Sequence, residues 1–315
     1  MTALRPSAAI SRGSVPPATA QSAEVIVQPS RVAVADETPT ATDRQVLWFG
    51  LLAIGLTWAA WLPLAATSRG WVDLRASPYL HFVGGLGPAL AAIIMTARYD
   101  GCRGLRVLWP RVTTGPGRWL IFAIVAPASA YVVAIGVASV FGVRVDVRST
   151  GASKEFGSLP VVAYWAANLV FFGFGEEIGW RGFALPRLQR HRTALAASMW
   201  LSLLWGLWHV PLFFFSSGLG TMPLVGLVGW AASIVTGSVV CTWLFNSTRG
   251  SIAVLAVFHA ALDIFIGSPT GGDVVANVMG AFVVIGAVTI PRRLGRERLS
   301  RSAKVTSTLV VERSD

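Results

Sequence analysis

The sequence predicts an all-α, polytopic membrane protein of about eight transmembrane helices, and three observations carry that prediction. Of 315 residues, 54% are hydrophobic and only 13% charged, where a soluble domain carries about 25% charged residues. The mean hydropathy is +0.61. The apolar residues also gather into runs long enough to cross a bilayer, which takes roughly 20 residues as a helix. A soluble globular protein, a disordered chain and a soluble DNA-binding protein are thereby disfavoured. The two cysteines, Cys102 and Cys241, are too few for a disulfide framework or a four-thiolate zinc site.

Taken in order, residues 1–44 mix Ser, Thr, Ala, Pro and Val with no sustained period and read as a disordered tail. No apolar core lies near Met1, so no signal peptide is expected. The first apolar run begins at Val46 and ends at Ala66. Others follow at about 80–97, 119–141, 159–178, 194–215, 222–245, 251–267 and 274–290. Residues 45–154 thus hold the first three helices and their connectors, 155–290 the remainder, and 291–315 a short, basic, flexible tail. Ser68–Pro78, Tyr99–Arg118 and Gly142–Ser158 read as polar connectors. No internal repeat suggests the paired halves of a transporter.

The net charge of +11 invites a nucleic-acid reading, but Lys and Arg avoid the apolar runs and sit in connections and tails. With residues 1–44 placed inside and alternate crossings, 21 of the 26 basic residues fall on the inner side and five on the outer. Both termini are expected in the cytoplasm, with the chain integral to a prokaryotic plasma membrane. The expected partners are membrane lipid and a membrane-associated peptide or protein substrate, not nucleic acid.

The informative residues are those a bilayer rejects. Between Phe156 and Gly272 the only acids are Glu176, Glu177 and Asp263, and His209 and His259 also lie in apolar runs. An ionised group at the bilayer centre costs at least about 2.5–3.5 kcal/mol, which makes such groups functional candidates. On a helix Glu177 and Arg181 are four apart and can pair. Glu176 points about 100° away and is left to face a cavity. Gly173, Gly175, Gly179 and Gly182 surround the acids; each costs helix propensity, and each lets a neighbouring helix come close. In Trp205-Gly206-Leu207-Trp208-His209-Val210-Pro211 the proline removes a helical N–H beside His209, so the helix should open there. His259 and Asp263 are again four apart, and Asp263 either orients the ring or joins it on an oxyanion. His259 should lie about 12 Å into its span, a depth similar to that of Glu176, with His209 deeper. The Glu176 and Glu177 element also admits a reading as membrane-boundary charges beside a packing helix, His209 one as a helix–helix hydrogen bond, and His259 with Asp263 one as a satisfied buried pair. Together the three are far more specific than any one.

A buried carboxylate with nearby imidazoles suits water activation, with His donors holding the oxyanion of a tetrahedral intermediate. No Gly-x-Ser-x-Gly elbow and no His-Glu-x-x-His helix appears. His and carboxylate are competent zinc ligands, so a divalent metal on Glu176, His209 and His259 and a site without cofactor are both compatible with the sequence.

Glu176-Glu177-x-x-x-Arg181, the aromatic-x-x-x-His209 step and His259-x-x-x-Asp263 together resemble the three motifs of the CAAX protease and bacteriocin-processing family. The resemblance covers about 155–290. It implies an eight-helix fold with a cavity open to the cytoplasm, and intramembrane endopeptidase activity of glutamic or metallo type. It further implies Glu176 as general base with His209 as its partner, His259 and Asp263 as oxyanion stabilisers, and Glu177 with Arg181 in support. Prenylated CAAX proteins or leader peptides are the implied substrates. Two positions depart from the family pattern. Trp205 stands where Phe is usual, read as a mild aromatic exchange. Asp263 stands where Asn is common; because an ionised Asp repels an oxyanion, it is either protonated or orients His259. A proton-coupled transporter using the Glu, His and Asp as a relay, and a catalytically silent scaffold or immunity protein, are the alternatives.

Overall fold

The computed structural model describes residues 38–215 and 219–307. Among them there is no strand, and the helices are α1 (Pro39–Ser68), α2 (Leu80–Gly85), α3 (Gly87–Thr113), α4 (Gly117–Val140), α5 (Val161–Asn168), α6 (Gly175–Gly179), α7 (Leu185–His191), α8 (Ala194–Trp208), α9 (Leu212–Phe215), α10 (Leu224–Ser247), α11 (Ile252–Ile266) and α12 (Gly272–Leu294). The chain is an all-α polytopic membrane protein. Ile121, Val132, Leu203 and Val225, each more than half exposed, belong to an apolar exterior suited to lipid rather than water.

Every apolar run of the sequence falls on helix, but six helical stretches among the described residues are long and apolar enough to cross a membrane. The difference from eight arises at two places. The stretch Ile252–Leu294 holds two of the expected spans, α11 and α12, turned at Gly272, whose φ of 56° suits glycine. The run at 159–178 is a helix interrupted by a wider π turn at Leu169–Phe174 and followed by a second at Trp180–Ala184, and its acids lower its apolarity.

Three boundaries differ from expectation. Most of the N-terminal tail lies outside the described residues, but α1 already begins at Pro39, with the Thr38 hydroxyl accepting the Ala41 N–H. Tyr99–Thr113, read as connector because of its charges, continues α3 after a change of direction at Gly101 (φ 61°). Asp100 there accepts from Arg187 at 2.6 Å, so the charges meet across helices rather than in a loop. Residues 295–307, expected to be flexible, are docked: the carbonyls of Arg296 and Glu297 accept the first N–H groups of α8, from Leu195 and Ala194. Leu299 is fully buried, and Asn246 exchanges hydrogen bonds with Gln189, Arg298 and Val305. A helix start leaves N–H groups unsatisfied, and this strap together with Thr193 satisfies those of α8.

The irregular helix of residues 161–191 is held between α3 and α11. Close approach of backbones makes this possible. A β-carbon at Gly175 would lie 2.5 Å from the Gly85 carbonyl oxygen, and one at Gly179 2.5 Å from Pro88 Cβ. On the other side, a β-carbon at Gly173 would lie 2.6 Å from the Ala256 carbonyl oxygen. We expect Gly175→Ala to lower the thermal midpoint in detergent. Overpacking costs about 1–3 kcal/mol and outweighs the roughly 1 kcal/mol of helix propensity that Ala returns. An equal or higher midpoint would show that α6 and α2–α3 separate freely.

Candidate active site

The two acids sit on α6, a single turn of regular helix flanked by the two π turns. A π turn inserts an extra residue per turn and is frequent at functional sites; here it re-aims side chains on either side of Glu176 and Glu177. Glu177 and Arg181 are fully buried and joined at 2.8 Å, the predicted i,i+4 pair. Glu177 Oε1 also accepts from His259 Nδ1 at 2.7 Å.

The ring of His259 is therefore held chiefly by Glu177. Its Nε2 lies 3.5 Å from Asp263 Oδ2, longer than an ordinary N–H···O bond. The helical spacing of His259 and Asp263 does bring them together, as expected from the sequence. The orienting contact, however, comes from another helix, which no spacing within α11 reveals.

Glu176 is 4% exposed, and its Oε2 accepts from the indole Nε1 of Trp205 at 2.7 Å. Trp205 is the hub of the arrangement. Its ring centroid lies 5.7 Å from that of His209 and 5.6 Å from that of His259, and the Arg181 guanidinium sits 4.8 Å from its centre. No hydrogen bond or ion pair joins Glu176 directly to either His ring; the direct partnership of Glu176 with His209 is not formed, and both contact the same tryptophan. The exchange of Phe for Trp at this position is consequently not mild. A phenyl ring has no N–H to give a carboxylate, whereas the indole has one.

His209 lies where the sequence predicts an opening. Helix α8 ends at Trp208, and the Leu207 carbonyl, which Pro211 cannot serve, accepts instead from Val210 in a tighter turn. His209 Nδ1 meets the Trp205 carbonyl at 2.7 Å. A carbonyl only accepts, so Nδ1 carries a proton, and in the neutral ring Nε2 keeps its lone pair. The end of α8 is anchored to α1: Trp208 donates to Thr57 at 2.6 Å and Trp58 donates to the Trp208 carbonyl at 3.1 Å.

Among the described residues no three His, Cys, Asp or Glu side chains form a group able to hold a metal ion. Glu176, His209 and His259 are each committed through one atom to a neighbour, namely Trp205, the Trp205 carbonyl and Glu177.

Residues 158–265 match a family model described as type II CAAX prenyl endopeptidase, Rce1-like. The chain is also similar to CAAX prenyl protease 2 of Methanococcus maripaludis, 29% identical over 93 residues, which make up 28% of this chain and 34% of that protein. It thus spans about a third of the length of the curated relative it matches. The matched segment contains Glu176, Arg181, His209 and His259, which contact the Trp205 indole, and Glu177 and Asp263, which contact His259. Over residues 158–265, which carry the three motifs, the chain is similar to the type II CAAX prenyl endopeptidases.

Proposed function

We propose that this protein is an intramembrane endopeptidase that hydrolyses a peptide bond of a membrane-associated, CAAX-type or leader-peptide substrate. One observation carries the reading. A buried carboxylate, Glu176, is held through one oxygen by Trp205, and the same indole contacts the rings of His209 and His259.

In the proposed reaction Glu176 takes a proton from water as the oxygen attacks the substrate carbonyl. Excluding bulk solvent makes such a carboxylate a more effective base. The ring of His259, fixed by Glu177, and Asp263 beside it stabilise the developing oxyanion. For Asp263 this role requires the protonated form; ionised, it steadies the ring instead. His209 presents Nε2, which accepts a hydrogen bond from the attacking water or a proton bound for the departing amine. The substrate approaches from the cytoplasmic face, in keeping with the basic residues on that side.

The test is direct. Purified protein in proteoliposomes, given a panel of prenylated CAAX peptides and anchored leader peptides, is expected to release a shortened product. In ¹⁸O-labelled water the new carboxyl should carry the label. Folded protein that cleaves no member of the panel would favour a silent scaffold, and turnover that depends on an ion gradient would favour a transporter. Trp205→Phe is expected to retain the ring and lose the donor. A hydrogen bond to a charged group contributes about 1.5–3 kcal/mol, so kcat should fall about 10–100-fold with KM little changed. A fall in KM-linked binding alone would remove Trp205 from the catalytic arrangement.

A further inference from the structure

Away from the candidate active site, a groove of about 440 Å³ opens where the start of α8, the second half of α10 and the end of α12 meet. Its walls include Met199, Val235, Val239 and Val288, and its rim carries Arg292 and Arg296. No Asp or Glu lines it. The neighbouring Glu297 carboxylate is engaged by Lys304. Neither Arg292 nor Arg296 makes an ion pair or side-chain hydrogen bond among the described residues, and both are exposed. Their position is nevertheless built rather than loose. The Arg296 carbonyl accepts from Leu195, which ties the arginine to the start of α8, and Arg292 closes the last turn of α12.

We infer that this groove binds one anionic glycerophospholipid, with its phosphate between Arg292 and Arg296 and the beginning of an acyl chain along α10 and α12. Orientation of the chain in a membrane needs only excess positive charge near a helix end. It does not require two unneutralised guanidinium groups at the mouth of an apolar groove, one of them pinned by main-chain hydrogen bonding. Guanidinium groups match phosphate oxygens in pairs. Basic pockets between transmembrane helices are a recurrent way of holding anionic headgroups. The apolar walls argue for a lipid, because a soluble anion would leave Met199 and Val288, both more than 40% exposed, uncovered. Across α12, a second groove carries Arg293 and Arg301 beside Trp243, so the first groove is best read with that pair neutralised.

The experiment is native mass spectrometry of full-length Arg293→Gln/Arg301→Gln protein in detergent, titrated with phosphatidylglycerol and with phosphatidylcholine. One phosphatidylglycerol should bind preferentially. Adding Arg292→Gln/Arg296→Gln should weaken that binding about tenfold or more. Adding Arg144→Gln/Arg148→Gln instead removes equal charge from a distant loop and should leave it unchanged. Val235→Trp keeps both arginines, fills the wall, and should also weaken binding. A preference that survives loss of Arg292 and Arg296, or falls equally on loss of Arg144 and Arg148, would overturn the site. So would binding indifferent to Val235→Trp, which means surface charge alone, or displacement by inorganic phosphate, which means a soluble anion.

Discussion

Glu176→Gln is expected to abolish peptide-bond hydrolysis in proteoliposomes while the protein remains folded. The side-chain amide keeps the shape of the carboxylate, and its carbonyl oxygen still accepts from Trp205 Nε1, which now bonds Glu176 at 2.7 Å. What is lost is the capacity to take a proton from water. Positioned general bases contribute typically 10²–10⁴-fold, so turnover should fall by about that factor. Gel filtration and the thermal midpoint should match those of the unaltered protein. Turnover within a few-fold of the original would remove Glu176 as the base and leave the His rings as the next candidates.

The largest expected effect on stability is at Glu177. The carboxylate is fully buried, binds Arg181 at 2.8 Å and His259 at 2.7 Å, and lies on the turn that carries Glu176. Glu177→Gln leaves the Arg181 guanidinium buried with no counter-charge. Removing one partner of such a pair costs about 3–5 kcal/mol, whereas replacing both with apolar groups is often close to neutral. The single variant should therefore unfold at a markedly lower temperature in detergent, and Glu177→Gln/Arg181→Met should recover much of the loss. Activity should not recover with it, because the His259 ring still lacks its charged anchor. A single variant as stable as the original would mean that Arg181 is neutralised by some other group. Rescue of activity by the double variant would separate His259 from the reaction.

Relations within one helix were legible from residue order. The spacings of Glu177 with Arg181 and of His259 with Asp263, and the break after Trp208 caused by Pro211, follow from a period of 3.6 residues and from a missing N–H. Both pairs and the break are present in the fold. The apolar runs were legible for the same reason, since lipid demands continuous apolar length. The glycines around Glu176 were readable as places of close approach, although not which helix approached each one.

Relations between helices were hidden. That Glu177 rather than Asp263 anchors His259, and that an indole rather than a His ring holds Glu176, depends on side chains 82 and 29 residues apart. The charges after Gly295 predict a solvated, flexible segment, yet it is docked. Its main-chain carbonyls, which any residue supplies, are what secure it to α8. Covalent order thus sets the helical period, the lipid-compatible lengths and the inventory of acids and imidazoles. Which of those groups meet is set by backbone approach at Gly173, Gly175 and Gly179 and by the π turns on either side of α6, because a directional hydrogen bond forms only once packing has brought its donor and acceptor within about 3 Å.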